Sequence, residues 1–207
     1  MAKRIKRNTR SKIVTAAWEL FYRQGYEDTT VEEIVEASGT SRGSFYHYFD
    51  GKDALLSTLS SLFDDKYESL METLDMTDNA FTILMYLNRE LFGMIERTVS
   101  VDLLTQMYAT QLITKGEKHL LDRDRSYFKI LRQVVRTGQE RGELTQDLPA
   151  GDIVKAYALC ERALLYDWCI CGGEYSLTEY AVKMMPRLLG YIRADSAANE
   201  NDGKETL

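Results

Sequence analysis

Proline and long apolar runs are both scarce in this chain of 207 residues. Pro149 and Pro186 are its two prolines, while residues that favour helices are plentiful. Because proline breaks helices, this composition predicts an all-α protein. No stretch approaches the roughly 18 apolar residues of a membrane-spanning helix, and no apolar run follows the basic N-terminus as in a signal peptide. We therefore expect a cytoplasmic protein without a membrane partner.

Cysteine and histidine are also few. The three cysteines, Cys160, Cys169 and Cys171, are odd in number and lie in apolar surroundings, which argues against a secreted disulfide framework. They can be a thiol sensor, part of a metal site, or buried inert thiols, and we favour the last. With two histidines, no glycine-rich phosphate loop and no nucleophile elbow, the sequence predicts no enzyme, no cofactor and no metal.

Acidic residues are missing from the first twelve positions, which carry six basic side chains. The net charge of −6 comes instead from residues 57–207, with 24 acidic and 17 basic side chains. Because a nucleic-acid binder must neutralise phosphates with Lys and Arg, this asymmetry indicates DNA contact at the N-terminal end. We expect the segment before Thr9 to form a basic arm that adds non-specific affinity in the minor groove.

Three short helical patterns follow one another in the first 50 residues. The first begins after Asn8 or Thr9 and ends at Gly25, with one apolar face. Thr30 and Glu33 form a capping box that opens a helix over residues 31–38, and Gly39 can end it in the left-handed conformation. Ser41 can cap the third helix at once. So short a connection between two short helices is typical of a helix-turn-helix.

Asp50 is a candidate cap for a fourth, long helix that runs from Lys52 to about Leu74. Proline within a helix removes one hydrogen bond, so Pro186 should divide the last helix into two pieces. Apolar spacings predict the five helices after the fourth near residues 79–96, 99–115, 122–141, 150–171 and 176–194. About nine helices result, in a head over residues 1–56, a helical body over 57–195 and a disordered tail over 196–207.

The run from Arg10 to Leu56 resembles the DNA-binding head of the tetracycline-repressor (TetR) family. The shared residues include Gly25-Tyr26, Thr29-Thr30-Val31, Gly39, Ser44-Phe45-Tyr46, Tyr48-Phe49 and Lys52. A weaker echo over residues 142–148 and 167–177 resembles the last two helices of many members. The resemblance implies a homodimer through those helices, a palindromic operator in double-stranded DNA, and a small-molecule effector.

The third helix is the predicted recognition helix. Phe45 and Phe49 can pack inward, while Arg42 can donate two hydrogen bonds to guanine, Ser44 can contact a base and Gly43 allows close approach. Phosphates are better placed to be contacted by Tyr46, His47, Tyr48 and Lys52, and by Thr29 and Thr30 at the start of the second helix. The resemblance implies phosphate contacts for Tyr46 and Lys52. The predicted DNA-binding set is Thr29, Thr30, Ser41, Arg42, Gly43, Ser44, Tyr46, His47, Tyr48 and Lys52. Each can also have a purely structural role, as a cap, core residue or solvated charge.

Effector contacts are predicted among the Met and aromatic residues of the body, although these residues are first of all core. The predicted set is Met85, Phe92, Met107, Tyr108, Tyr157, Glu161 and Trp168. Four further charges stand in apolar helical segments, Arg89, Asp102, Arg162 and Asp167, and either ligand contacts or salt bridges explain them. The sequence therefore predicts a ligand-responsive regulator, most often a repressor. One alternative is a protein that binds DNA with this fold while acting on a protein partner.

Overall fold

The computed structural model describes residues 2–113 and 119–194, with side chains from residue 9 onward. This part of the chain is all-α, as predicted. Its ten α-helices are α1 (Ala2–Gln24), α2 (Val31–Ser38), α3 (Arg42–Tyr48), α4 (Lys52–Leu56), α5 (Thr58–Met71), α6 (Ala80–Thr98), α7 (Val101–Ile113), α8 (Ser126–Glu140), α9 (Ala150–Ile170) and α10 (Leu177–Leu188). Two 3₁₀ turns, His119–Leu121 and Gly190–Ile192, complete the described structure. The predicted tail over 196–207 lies outside the described residues.

The first helix begins earlier than predicted. Residues 2–8 continue α1, so the expected start after Asn8 or Thr9 is wrong. Neither glycine nor proline stands before Thr9, and Lys and Arg have good helix propensity, so an established helix extends through them at little cost. The basic segment is therefore the first two turns of α1 and not a separate arm, and its side chains before Thr9 lie outside the description.

The expected fourth helix is divided at Ser57 into α4 and α5. Gly51 and not Asp50 precedes α4, and no side chain caps that start. The Ser57 hydroxyl donates to the Ala54 carbonyl at 2.6 Å, and the Thr58 hydroxyl donates to that of Leu55 at 2.6 Å. Side-chain hydroxyls that bond nearby carbonyls compete with the regular helix ladder. The division falls at the predicted boundary between head and body.

The body packs around a core shared by α5, α6, α8, α9 and α10. Gly138 brings α8 against α6, because a Cβ atom there would lie 2.4 Å from the Cβ atom of Ala80. The last helix continues through Pro186 and ends at Leu188, and a 3₁₀ turn follows over Gly190–Ile192, so the segment is in two pieces but is not divided at the proline as predicted. The chain then pairs with the loop after α8 through a bridge between Leu144 and Arg193.

Candidate DNA interface and effector site

The helix-turn-helix has the local structure that its sequence predicts. Thr30 caps α2: its hydroxyl accepts from the Glu33 amide at 3.3 Å, and the Glu33 carboxylate accepts from the Thr30 amide at 2.8 Å. Gly39 ends α2 with φ of 61°, in the left-handed region. Ser41 then caps α3, since its hydroxyl accepts from the Ser44 amide at 3.1 Å. Side-chain caps thus fix the starts of α2 and α3, and the left-handed Gly39 fixes the end of α2.

The apolar residues of α3 anchor it to the head. Phe45 is fully buried, Phe49 nearly so, and their ring centroids lie 5.8 Å apart. This orientation leaves Arg42, Gly43, Tyr46 and His47 exposed, with Ser44 and Tyr48 half-buried. A convex, polar helix face of this kind fits a DNA major groove.

Arg42 is held loosely at the start of α3. Its guanidinium lies 3.0 Å from the carboxylate of Glu32, and the two side chains are 68% and 62% exposed. It also lies 5.7 Å from the ring centroid of Tyr46. Exposed ion pairs contribute about 0–1 kcal/mol, so a guanine edge or a phosphate can displace the carboxylate.

Gly43 has no structural need to be glycine. A Cβ atom there would meet nothing nearer than the Ser41 hydroxyl at 3.9 Å. Its backbone is helical, and glycine in a helix costs roughly 1 kcal/mol relative to alanine. The free protein therefore gains nothing from this glycine, whereas close approach to base edges would require it.

Lys52 does not fit its predicted phosphate contact. Its ammonium group donates to the backbone carbonyls of Tyr26 at 2.9 Å, Glu27 at 3.0 Å and Thr29 at 3.1 Å. It also lies 4.5 Å from the ring centroid of Tyr26, whose hydroxyl donates to Asp53. A lysine has three protons to donate, and all three are used here. Lys52 thus clamps the loop between α1 and α2 to the start of α4.

Thr29 is also placed differently from expectation. Its side chain is buried, and its hydroxyl donates to the Gly25 carbonyl at 2.7 Å. A buried hydroxyl bonded within its own loop is not available to a phosphate. Thr30 remains exposed at the N-terminus of α2, where amide groups and the helix dipole favour an anion.

The seven predicted effector residues do not meet in one cavity. Met85 lines a cleft between α6 and α10, whereas Tyr108 and Glu161 line a cavity of about 40 Å³ between α7, α8 and α9. Phe92, Met107 and Trp168 are buried core residues. Tyr157 is buried too, and its hydroxyl donates to the Leu84 carbonyl at 2.9 Å. Periodicity identifies which residues are buried, but it does not show which face a cavity.

Glu161 is the centre of a buried polar cluster. Its carboxylate accepts hydrogen bonds from the Asn88 amide at 3.0 Å, the Tyr67 hydroxyl at 3.3 Å and the Tyr127 hydroxyl at 2.6 Å. Burial raises the pKa of Glu161, although these donors oppose the shift. The same burial, together with the Glu161 charge, raises the pKa of Tyr67 and Tyr127. The cluster ties α5, α6, α8 and α9 together.

Glu161 belongs to the predicted effector set, whereas its partners Tyr67, Asn88 and Tyr127 could not be recognised in the sequence. These three residues stand on α5, α6 and α8, and the sequence around each predicts an ordinary apolar or mixed helix face. The signal that could have found them is a carboxylate in an apolar segment, which must obtain donors from its neighbours when it is buried.

A larger cleft, of about 300 Å³, lies between α8 and α9 and was not predicted from the sequence. Four basic side chains and several apolar ones line it: Arg123, Arg132, Lys155 and Arg162, with Leu121, Phe128, Val154 and Ala158. Arg162 was among the charges noticed in apolar segments. Lys155 lies on the same face of α9, two turns before Arg162, but only packing brings these two residues to Arg123 and Arg132.

The remaining noticed charges have ordinary surroundings. Arg89 pairs with Glu90 at 3.1 Å, Asp102 is exposed, and Asp167 accepts from the Tyr175 hydroxyl at 2.9 Å. The three cysteines are half-buried, and burial raises the pKa of the Cys160 and Cys169 thiols, which favours the protonated form. No group of three or more potential metal ligands is found among the described residues.

Known proteins with similar sequence or structure are regulators. The model of the family "Bacterial regulatory proteins, tetR family" matches residues 13–59. An uncharacterised helix-turn-helix regulator from the lacX 3' region of Lactococcus lactis is 41% identical over 56 residues, which are 27% of this chain and 29% of that protein. The repressor KstR2 of Mycobacterium tuberculosis is 25% identical over 185 residues, or 88% of this chain and 92% of that protein.

A solved structure extends the likeness to the body. FadR of Thermus thermophilus, a TetR-family transcriptional repressor in complex with lauroyl-CoA, superposes with a TM-score of 0.68. The two chains are 25% identical, and the superposition covers 88% of this chain and 94% of FadR.

The capped turn, the anchored α3 and its exposed polar face define a helix-turn-helix DNA-binding protein. Residues 13–59 match the tetR family of bacterial regulatory proteins, and the fold is similar to that of a TetR-family transcriptional repressor over 88% of the chain. Among the described residues, no helix has the length and apolar character to cross a membrane.

Proposed function

We propose that this regulator is a ligand-responsive repressor that binds a palindromic operator as a homodimer in the cytoplasm. The observation that carries the proposal is the outer face of α3, where exposed Arg42 and Gly43 stand beside Ser44 while Phe45 anchors the helix. In this proposal residues 1–56 form the DNA-binding head, and residues 57–195 form the dimerising, effector-binding body.

Arg42, Gly43 and Ser44 read base edges in this proposal, and Tyr46, His47, Tyr48, Thr30 and Ser41 fix the register on phosphates. The exposure of Tyr46, His47, Thr30 and Ser41 supports these assignments. We withdraw Thr29 and Lys52 from the contact set, because their polar groups are already bonded within the head.

Two heads are needed because one α3 reads too few base pairs for useful selectivity. In a symmetric dimer the two recognition helices reach half-sites about 34–36 Å apart, one turn of DNA. Exposed apolar side chains on the last two helices support a dimer interface there: Leu159, Tyr166, Ile170, Tyr180, Val182 and Leu188. Apolar patches of this kind favour association because burying them releases water.

The head is joined to the body by contacts that an effector can disturb. The Trp18 indole donates to the Thr58 hydroxyl at 2.9 Å, and the Tyr22 hydroxyl donates to the Thr98 carbonyl at the end of α6. The Gln106 amide of α7 donates to the Glu27 carboxylate at 2.8 Å. A movement of α6 or α7 would therefore move the head and change the spacing between the two recognition helices.

Replacement of Arg42 by alanine tests the assignment of α3. We expect Arg42→Ala to lose about 1–3 kcal/mol of discrimination at one base pair of each half-site, with less effect on random DNA. Fluorescence anisotropy against the DNA around the regulator's own gene, and against single-base variants of it, would measure this. Arg23→Ala, which removes an exposed arginine from the end of α1, is the control.

Sequence-selective, salt-sensitive binding by the unaltered protein is the first requirement of this experiment. Equal affinity for scrambled DNA would overturn the proposed function. An unchanged base preference in Arg42→Ala would overturn only the role of Arg42.

A further inference from the structure

The cleft between α8 and α9 is strongly positive. The described residues that line it include Arg123, Arg132, Lys155 and Arg162 and no carboxylate. Within the described part of the chain, none of the four forms an ion pair; Arg132 donates to the backbone carbonyl of Arg123 at 2.8 Å. The body is otherwise acidic in balance, so this uncompensated positive charge is a local feature.

Like charges gathered in one concavity repel each other, and an anion between them relieves the repulsion. Three of the four basic side chains in the cleft are arginines. Their planar guanidinium groups match the oxygens of phosphate or carboxylate and can donate two hydrogen bonds at once. The charge and the donor type therefore both select an anionic group.

The rest of the cleft is apolar. Phe128, Val154 and Ala158 supply part of its wall beside the basic groups. Ala158 and Arg162 also line the inner cavity of about 40 Å³, whose other walls include Phe63 and Leu91. The cleft and the inner cavity are thus continuous in their lining, and the inner cavity is mostly apolar although Tyr127 and Glu161 also line it. A ligand that matched both parts would carry an apolar group next to its charge.

We propose that this cleft binds an amphipathic anion, with a phosphate or carboxylate held by Arg132, Lys155 and Arg162 and an apolar group directed along Phe128 toward the inner cavity. This inference rests on the proposed function, since it names the chemical class of the effector and its site. The inner cavity is too small for an alkyl chain as it stands, so a long apolar group enlarges it on binding.

That enlargement connects the cleft to the head. Tyr108 of α7 lines the inner cavity, and Gln106, two residues earlier on the same helix, donates to Glu27 of the head at 2.8 Å. An apolar group that displaces Tyr108 moves α7, and with it the contact that holds the loop between α1 and α2. The amphipathic anion therefore weakens operator binding.

Calorimetric titration of the full chain with three probes tests the site: dodecyl phosphate below its micelle concentration, dodecanol, and inorganic phosphate. We expect dodecyl phosphate to bind more tightly than either of the others. The double variant Arg132→Gln/Lys155→Gln should lose at least about tenfold in affinity, since hydrogen bonds to charged groups are involved. Lys129→Gln/Arg136→Gln removes two exposed cations of the same helix that do not line the cleft, and this variant should bind as the unaltered protein does.

Three outcomes would overturn the inference. Equal affinities of the two double variants would show that the cleft is not the site. If dodecanol bound as tightly as dodecyl phosphate, the charge would have no role in binding. If inorganic phosphate bound as tightly as dodecyl phosphate, the cleft would be a simple anion site. Operator binding is measured on the same preparations: selective DNA binding without dodecyl phosphate binding refutes the effector site alone, whereas loss of DNA selectivity refutes the proposed function.

Discussion

At the scale of single residues, the role of a basic side chain in the head depends on which groups accept its hydrogen bonds. Lys52 and Arg42 are both cations close to α3 in sequence. The Lys52 ammonium is committed to three carbonyls, whereas the Arg42 guanidinium keeps only one exposed ion pair. We infer that Lys52 contributes to the stability of the head and Arg42 to its selectivity.

Lys52→Met should therefore destabilise the protein. Loss of three hydrogen bonds from a charged donor leaves carbonyls that water can only partly satisfy, so we expect the free energy of unfolding to fall by about 1–3 kcal/mol. Urea denaturation of the full chain measures this, with Lys129→Met on the exposed face of α8 as control. An unchanged stability combined with uniformly weaker DNA binding would restore the phosphate contact that the sequence predicts.

Gly43→Ala adds one methyl group that should affect the stability of the free protein and its affinity for the operator in opposite directions. The added methyl group meets only the Ser41 hydroxyl at 3.9 Å, so the free helix should gain up to about 1 kcal/mol in stability. Operator affinity should fall, because the same methyl group stands between the α3 backbone and the base edges. Thermal unfolding and anisotropy measure the two effects. If the affinity of the variant matched that of the unaltered protein, α3 would not approach DNA closely at Gly43.

At the scale of helices, the buried carboxylate of Glu161 connects four elements through its hydrogen bonds. It joins Tyr67 of α5, Asn88 of α6 and Tyr127 of α8 to α9. Hydrogen bonds of this type compensate the cost of burying a polar group, but they do not remove the cost of burying a charge. The packing of the body should therefore depend on whether Glu161 is protonated.

Glu161→Gln tests that dependence. Because burial raises the Glu161 pKa in the folded state, the carboxyl group contributes most stability below its unfolded pKa, about 4.3, and that contribution is lost as pH rises through the folded value. The stability of the unaltered protein relative to Glu161→Gln should therefore decrease as pH rises above about 4.3. Denaturation series between about pH 4 and 8 measure the difference. A difference that stays constant would contradict the raised pKa.

At the scale of the whole molecule, the exposed apolar residues of α9 and α10 are the main unexplained surface. Leu159 is 50% exposed and Ile170 66% exposed, although both stand on a helix that otherwise packs into the core. Surfaces of this kind fit a second copy of the chain, which the proposed operator requires.

Leu159→Glu should weaken the dimer, because it places a charge in an apolar interface. We expect sedimentation equilibrium to show a larger monomer fraction, and operator affinity to fall at least about tenfold, or 1.4 kcal/mol, as the second head is lost. Leu112→Glu, at an exposed leucine of α7, is the control. A dimer as stable as that of the unaltered protein would place the interface elsewhere.

The helix-turn-helix could be predicted from sequence because its determinants are local. Thr30 and Glu33 are three residues apart, and Gly39 and Ser41 follow within one short connection. The ranges of the body helices were predicted to within a few residues for a similar reason, since their apolar faces repeat along the chain. The start of α1 was predicted too late, because good helix formers without a preceding breaker give no sign of where a helix begins.

The proposed effector site could not be predicted in this way. Arg123, Arg132, Lys155 and Arg162 form one cleft only because α8 packs against α9, and Glu161 meets Tyr67 and Asn88 only because four helices converge. The sequence alone determined the fold class, the capped helices α2 and α3, and the contrast between a basic N-terminal segment and an acidic remainder, since these depend on neighbours within a few residues. Tertiary packing decided that Lys52 is a clamp and where the basic cleft lies, because hydrogen-bond partners and cavities belong to residues far apart in the chain.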